Sequence, residues 1–221
     1  NMIDFNELIN NYLKREVRSK TIGRYYPSEA GNCLRKSYYS YKIPRDVDED
    51  LIKIFELGNI LHEFITDVLK SEKNPHIEVL ETESAFQLPI DNILISGRID
   101  DIILLKLDNK KYIVEIKSTS MLNATKEPSE GHLYQLHTYM HNTGIHNGIL
   151  LYVERNTLQS KSFYVEYNTV IFEEAANRFR ALHKFLAQQI LPHPEAKMES
   201  SMNWQCNRCQ YKEECDANKK I

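Results

Sequence analysis

The chain has 221 residues, 42% hydrophobic and 27% charged, with 31 acidic against 28 basic side chains and a formal net charge of -3. That balance allows a packed core, and it argues against wholesale disorder and against a surface coated in nucleic acid. The longest apolar run, Ile149 to Val153, is strand-sized and far short of the roughly 18 residues that a membrane span needs, so no membrane association is expected.

In chain order, Asn1 ahead of Met2 reads as a tag remnant, and Asn-Met-Ile-Asp-Phe lacks a basic stretch leading into an apolar one. No secretory signal is read, and a cytoplasmic protein is expected. Residues 3–20 carry helical periodicity, with Phe5, Leu8, Ile9, Tyr12 and Leu13 on one side. Ser28 can cap a helix that carries Cys33 and several tyrosines and stops before Pro44. A long helix follows the acidic run Asp46 to Asp50, with Leu51, Ile54, Phe55, Leu57, Leu61, Ile65 and Leu69 at helical spacing, and Pro75 closes that segment. The period then changes. Residues 77–89, 93–107 and 111–118 are rich in Ile, Val and Leu and are bounded by turn residues, most clearly Asp108-Asn109. They read as three consecutive strands, the last two a hairpin. A helix over about 129–142, strands at 148–154 and 161–167, and a helix at 170–190 ended by Pro192 and Pro194 complete the order. The expected class is a mixed α/β layer with a mainly helical cap.

Cys33 stands alone, whereas Cys206, Cys209 and Cys215 form C-x2-C-x5-C near the other end. Three thiols so close, with a fourth to complete the set, suit one metal centre better than two disulfides. Tetrahedral zinc and an iron–sulfur cluster both take four thiolates. A lone cysteine far from a tight trio favours iron–sulfur, because zinc sites usually arrive as two short pairs. Between Lys14 and Arg45 there are nine basic residues (Arg24, Arg35 and Lys36 among them) and two acidic ones, with Tyr25, Tyr26, Tyr38, Tyr39 and Tyr41 interleaved. Charge for phosphates and rings for bases are the equipment of a single-strand groove. A solvated surface above packed tyrosines is an equally weighted reading.

Asp100 lies in Gly97-Arg98-Ile99-Asp100 near the end of one strand, and Glu115 and Lys117 lie two apart on the next. Period-2 geometry aims Glu115 and Lys117 at one face. A carboxylate from each of two neighbouring strands forms a hard-oxygen nest for a divalent cation, and the ammonium can orient water and steady charge on phosphate. His62, in Gly58-Asn-Ile-Leu-His62, can add an imidazole nitrogen. Gln135 and Tyr139, four apart on a helix, can line the same cleft. His132, His137, His141 and His146 crowd that helix; solvated or phosphate-facing roles are favoured for them over a second metal site.

Taken in order, Cys33-Leu-Arg-Lys, G-x-x-x-H at His62, G-R-I-D at Asp100, E-I-K at 115–117, Q-x-x-x-Y at 135–139 and the terminal cysteines resemble a RecB-type nuclease of the PD-(D/E)xK superfamily. Within it, the chain resembles the small CRISPR-associated exonucleases with a [4Fe–4S] cluster, the Cas-four family. The likeness spans roughly residues 25–216, with Ile99 where the superfamily's name has proline. It implies a restriction-endonuclease-like core, a mixed sheet flanked by helices, over 76–192. An N-terminal helical segment (1–75) and a C-terminal cysteine region (193–221) would complete one compact unit.

The resemblance further implies that His62, Asp100, Glu115 and the Ile116 carbonyl bind Mg²⁺ or Mn²⁺, with Lys117 the catalytic lysine. Gln135 and Tyr139 would hold the active site and the DNA strand. Cys33, Cys206, Cys209 and Cys215 would hold the cluster, and Arg24, Tyr26, Arg35 and Lys36 would contact DNA. The implied substrate is single-stranded DNA or DNA with overhangs, cut with 5′ to 3′ exonuclease character. The implied role is spacer acquisition (prespacer processing) alongside CRISPR integrase proteins. Alternatives from the sequence are a repair, recombination or viral nuclease outside CRISPR, and a non-catalytic zinc-stabilised DNA-binding module.

Overall fold

The computed structural model describes residues 3–218, so the reading of Asn1 and Met2 falls outside the described residues. Helix α1, Phe5–Leu13, opens on Asp4, whose carboxylate accepts from the Asn6 and Glu7 backbone N–H groups. It is much shorter than the expected 3–20, and none of its residues is buried. Lys14, Arg15 and Arg18 would repel one another at helical spacing beyond that point, and Lys14 leaves helical geometry. Ser28 falls inside a 3-10 turn, Pro27–Glu29, and does not cap the next helix. That helix, α2, runs over Leu34–Lys42 with Cys33 at its N-cap, and it ends ahead of Pro44 as expected.

Helix α3, Glu49–Lys70, is capped by Asp48. Its Leu61, Ile65 and Leu69 pack on the sheet, whereas Phe55 and Leu57, expected on the same core face, are exposed. Three strands follow: β2 over Ile77–Ile90, β3 over Ile93–Leu105 and β4 over Lys110–Thr119. The short β1, Arg24–Tyr25, precedes them in the chain. Ser129 caps α4, Glu130–Thr143, and Gly144 ends it in the left-handed conformation (φ 70°). Strands β5, Asn147–Glu154, and β6, Ser160–Glu166, lead into α5, Thr169–Gln188. The C-terminal segment holds α6, Glu195–Met198, a 3-10 turn, Asn203–Arg208, and α7, Lys212–Ala217. Among the described residues no helix is long and apolar enough to cross a membrane.

The result is a mixed α/β fold around a six-stranded mixed sheet flanked by helices. Strand β2 pairs along the length of β3, so β1 and β4 share the other edge of β3. The antiparallel β3–β4 ladder runs only from Leu105/Lys110 to Asp101/Val114; beyond it, residues 115–119 of β4 pair with parallel β5. The two central strands therefore splay apart just after Asp101 and Val114. On one face of the sheet, Ile103, Val114, Ile116, Ile149 and Val153 meet Leu61 of α3. On the other, Ile95, Ile99, Ile113 and Leu150 meet Leu136 and Met140 of α4 and Phe179 and Leu182 of α5. Each such side chain contributes about 1.5–3 kcal/mol by leaving water. The two cores clamp the splay point from both sides.

Candidate active site

Asp100 and Glu115 stand at the mouth of that splay, one on each diverging strand. With β3 gone, the Ile116 N–H donates instead to Asp100 Oδ2 at 2.8 Å. The other Asp100 oxygen, Oδ1, lies 3.4 Å from His62 Nδ1, which α3 brings across the sheet. Thr66, one turn farther along α3, donates to the Asp101 carboxylate at 2.8 Å, and this bond pins the helix that carries His62. Burial lowers the His62 pKa and the hydrogen bond that its ring donates to the Asp100 carboxylate raises it; the net shift is upward.

Glu115 and Lys117 point to the same face, and Lys117 Nζ lies 2.7 Å from Glu115 Oε1. Lys117 also donates to Gln135 Oε1, and Gln135 Nε2 donates to the Tyr139 hydroxyl, each at 2.8 Å. Tyr139 is held in turn by an edge-on contact with Phe86. The series Glu115–Lys117–Gln135–Tyr139 thus fixes the ammonium in one position. Glu115 is 2% exposed; burial and the Asp100 carboxylate push its pKa up to about 7 against the pull of Lys117. Its Oε2 is buried with no hydrogen-bond partner. A buried acceptor left open, beside an imidazole and a second carboxylate, fits a divalent cation of the Mg²⁺ or Mn²⁺ type. The Ile116 carbonyl, adjacent to Glu115, is available as a backbone donor. One ligand atom each of His62, Glu83 and Asp100 lies within 4.8 Å of the others. Glu83 is absent from the sequence reading, and no motif spacing could have found it.

The four cysteines, free of disulfides, line one pocket together with Arg35, Lys36 and Gln205. Gln205 accepts from the Cys33 N–H at 2.9 Å and donates to the Gly31 carbonyl. Glu195 accepts from the Leu34 N–H, and Arg178 clasps Glu195 and the Ala30 and Asn32 carbonyls. Burial, then the neighbouring Cys33, Cys209 and Cys215, raises the Cys206 pKa. Among the described residues, no three of these sulfurs come within 4.8 Å of one another.

One expectation needs correction, and one pair of alternatives is resolved. Arg35 is 3% exposed and spends its guanidinium on the Pro192 and Asn218 carbonyls and on Cys215 Sγ, so it faces the C-terminal segment and not an open DNA surface. Tyr25, Tyr38, Tyr39 and Tyr41 are core residues, because a ring of that size buries more favourably than it stays wet; Tyr26 alone of that set is exposed. Arg24 is exposed and donates to Ser96 Oγ. Lys14, Arg15, Arg18, Lys20 and Arg45 border an open cleft of about 1030 Å³. Of the histidines, His137 is buried and His132 bonds to the Tyr152 hydroxyl, whereas His141 and His146 are exposed, as expected, while stacking on Phe172 and Tyr167.

A family model described as the PD-(D/E)XK nuclease superfamily matches residues 56–216. No curated protein sequence matches the chain. Among solved structures, that of SSO0001 is similar at TM-score 0.63 with 21% identity, covering 97% of this chain and 96% of that one. An alkaline exonuclease (LHK-Exo) from Laribacter hongkongensis is similar at TM-score 0.56 and 14% identity, over 80% of this chain and 96% of its own. A phage related exonuclease from Haemophilus somnus 129PT is similar at TM-score 0.53 and 11% identity, over 82% and 98%.

Proposed function

We propose that this chain, which belongs to the PD-(D/E)XK nuclease superfamily, is a Mg²⁺- or Mn²⁺-dependent deoxyribonuclease of the RecB-like type. Its substrate is single-stranded DNA or DNA with overhangs, degraded as an exonuclease with 5′ to 3′ character. The observation that carries this reading is the meeting of Asp100, Glu115, His62 and Lys117 where β3 and β4 part. Two of the similar structures are exonucleases by description, and that activity is transferred here as part of the proposal.

His62, Asp100, Glu115 and the Ile116 carbonyl would hold the ion. When bound, it supplies Lewis-acid polarisation of a phosphodiester and a water of lowered pKa. Asp100 is oriented for this by the Ile116 N–H. Lys117, held between Glu115 and Gln135, presents a fixed positive charge to the phosphate as negative charge builds there. Tyr139 keeps Gln135 from rotating away. Arg24, Tyr26 and Lys36 serve DNA contact, joined by Lys14 and Arg18 of the open cleft, whose lining also carries Glu16, Asp46 and Glu49.

The four cysteines hold a [4Fe–4S] cluster in this reading. What supports a metal centre there is that all four cysteines line one pocket and none is tied up in a disulfide. By its resemblance to the CRISPR-associated exonucleases, the role proposed for the chain is spacer acquisition beside the integrase proteins. The test is an assay of end-labelled single- and double-stranded DNA with Mn²⁺, Mg²⁺ or chelator. Stepwise loss of the single strand in either metal, abolished by chelator, is expected; an inert protein in both metals would contradict the proposal.

A further inference from the structure

We propose that Glu83 is a further metal ligand of this site, reaching into the nest of His62 and Asp100 from the neighbouring strand. The inference rests on the nuclease reading above. The flanking pairs Thr82↔Asp101 and Ser84↔Ile99 set Glu83 of β2 opposite Asp100 of β3. From there, a ligand atom of Glu83 lies within 4.8 Å of atoms of both His62 and Asp100. An independent observation says that the nest calls for a cation. Glu115, on the strand next to Asp100, is 2% exposed, and its Oε2 has no hydrogen-bond partner among the described residues.

The backbone at Glu83 has an unusual conformation for a strand. Its φ is 49°, although Thr82 and Ser84 on either side are paired in the β2–β3 ladder. A glutamate holds that left-handed conformation at a cost that glycine would not incur. The only ion pair Glu83 makes among the described residues is with Arg98, at 3.7 Å, with side chains 59% and 71% exposed. Such a pair is weak, and a divalent ion competes with it easily. His62, Glu83 and Asp100 would then form the converged group, with Glu115 and the Ile116 carbonyl as the further ligands of the proposed site. A six-coordinate ion would then keep about one position for water or phosphate. Arg98, freed from Glu83, would be left at the rim of the site with its charge turned to solvent and to DNA.

The test is a calorimetric titration of the full chain, in divalent-free buffer and without DNA, with MnCl₂. The set is the parent, Glu83→Gln, Asp100→Asn and Glu81→Gln. The last removes the same charge two residues along the strand. Even outer-shell partners of metal ligands are worth roughly 10–100-fold in affinity, so loss of a direct ligand in Glu83→Gln should weaken Mn²⁺ binding by at least about tenfold, and Glu81→Gln should leave it within about twofold. Parental affinity in Glu83→Gln, or an equal loss in Glu81→Gln, overturns the inference and leaves the nuclease reading intact. A parent that binds no Mn²⁺ overturns both. Glu83→Gly guards against a folding artefact. It should melt at or above the parent temperature, because the left-handed backbone is relieved, yet bind Mn²⁺ as weakly as Glu83→Gln; parental affinity there also overturns the inference.

Discussion

Asp100 and Asp101 are neighbours with opposite roles. Asp100 faces His62 and the Ile116 N–H and is a proposed metal ligand, while Asp101 is wholly buried, accepts from Thr66 and ties α3 to the sheet. The G-R-I-D pattern together with a downstream E-x-K was enough to single out Asp100, Glu115 and Lys117, because alternation along a strand is short-range geometry. Glu83 was not legible, since its place depends on a register across two strands and on a left-handed φ. His132 and His137 of α4 were misjudged for a similar reason, as their aromatic partners Tyr152 and Tyr167 lie outside that helix, whereas His141 is exposed as expected. His132 illustrates the consequence. Burial first, and Lys117 second, push its pKa down to about 3 from 6.5. Between those values the unfolded chain binds the proton that the folded chain refuses, so stability due to neutral His132 is lost as pH falls below about 6.5. Glu115, raised to about 7 from 4.5, acts with the opposite sign, and a comparison with His132→Gln cancels it. In urea denaturation of the metal-free protein, the parent should lose stability relative to His132→Gln by up to about 1.4 kcal/mol per pH unit between pH 6 and pH 4. A constant difference would mean that the fold tolerates a charged His132.

At the scale of elements, the strands and the helices α3, α4 and α5 stand close to where periodicity and turn residues set them. The N-terminal region does not, because α1 buries nothing and residues 27–33 form a 3-10 turn and a tight bend in place of a helix. That bend exists to let two backbones meet. A Cβ on Gly31 would lie 2.3 Å from the Gly131 Cα, at the start of α4. No side chain fits there, and neither glycine belongs to a turn signal readable from the sequence. Gly31→Ala should therefore force the Cys33 bend and α4 apart, at about 1–3 kcal/mol. Gly58→Ala is the contrast. Its Cβ would meet only Ser118 Oγ at 3.7 Å, and alanine is the better helix former by about 1 kcal/mol. Thermal melting should show a clear drop for Gly31→Ala and an equal or higher midpoint for Gly58→Ala. Similar midpoints for the two would show that the close approach is not a constraint.

Across the whole molecule, the sheet's splay gathers the ion nest and the chain ends gather the cysteines. The second gathering was readable because C-x2-C-x5-C lacks a fourth ligand and Cys33 is the only other cysteine. What holds it was not, since Gln205, Glu195 and Arg178 reach the Cys33 bend across long stretches of sequence. Arg35 was misplaced on a DNA surface for the same reason, its partners being Pro192, Cys215 and Asn218. The basic stretch divides accordingly, with its tyrosines mostly in the core and Lys14, Arg15 and Arg18 on the open cleft. The central claim is that Asp100 and Glu115 hold the ion that makes the chain a nuclease. It is tested most directly by cleavage of labelled single-stranded DNA in Mn²⁺ by the parent and by Asp100→Ala, with DNA binding measured on the same samples. The account predicts cleavage by the parent, a loss of at least about a hundredfold in the variant, where metal catalysis is removed, and binding that is little changed. Near-parental cleavage by Asp100→Ala would contradict it.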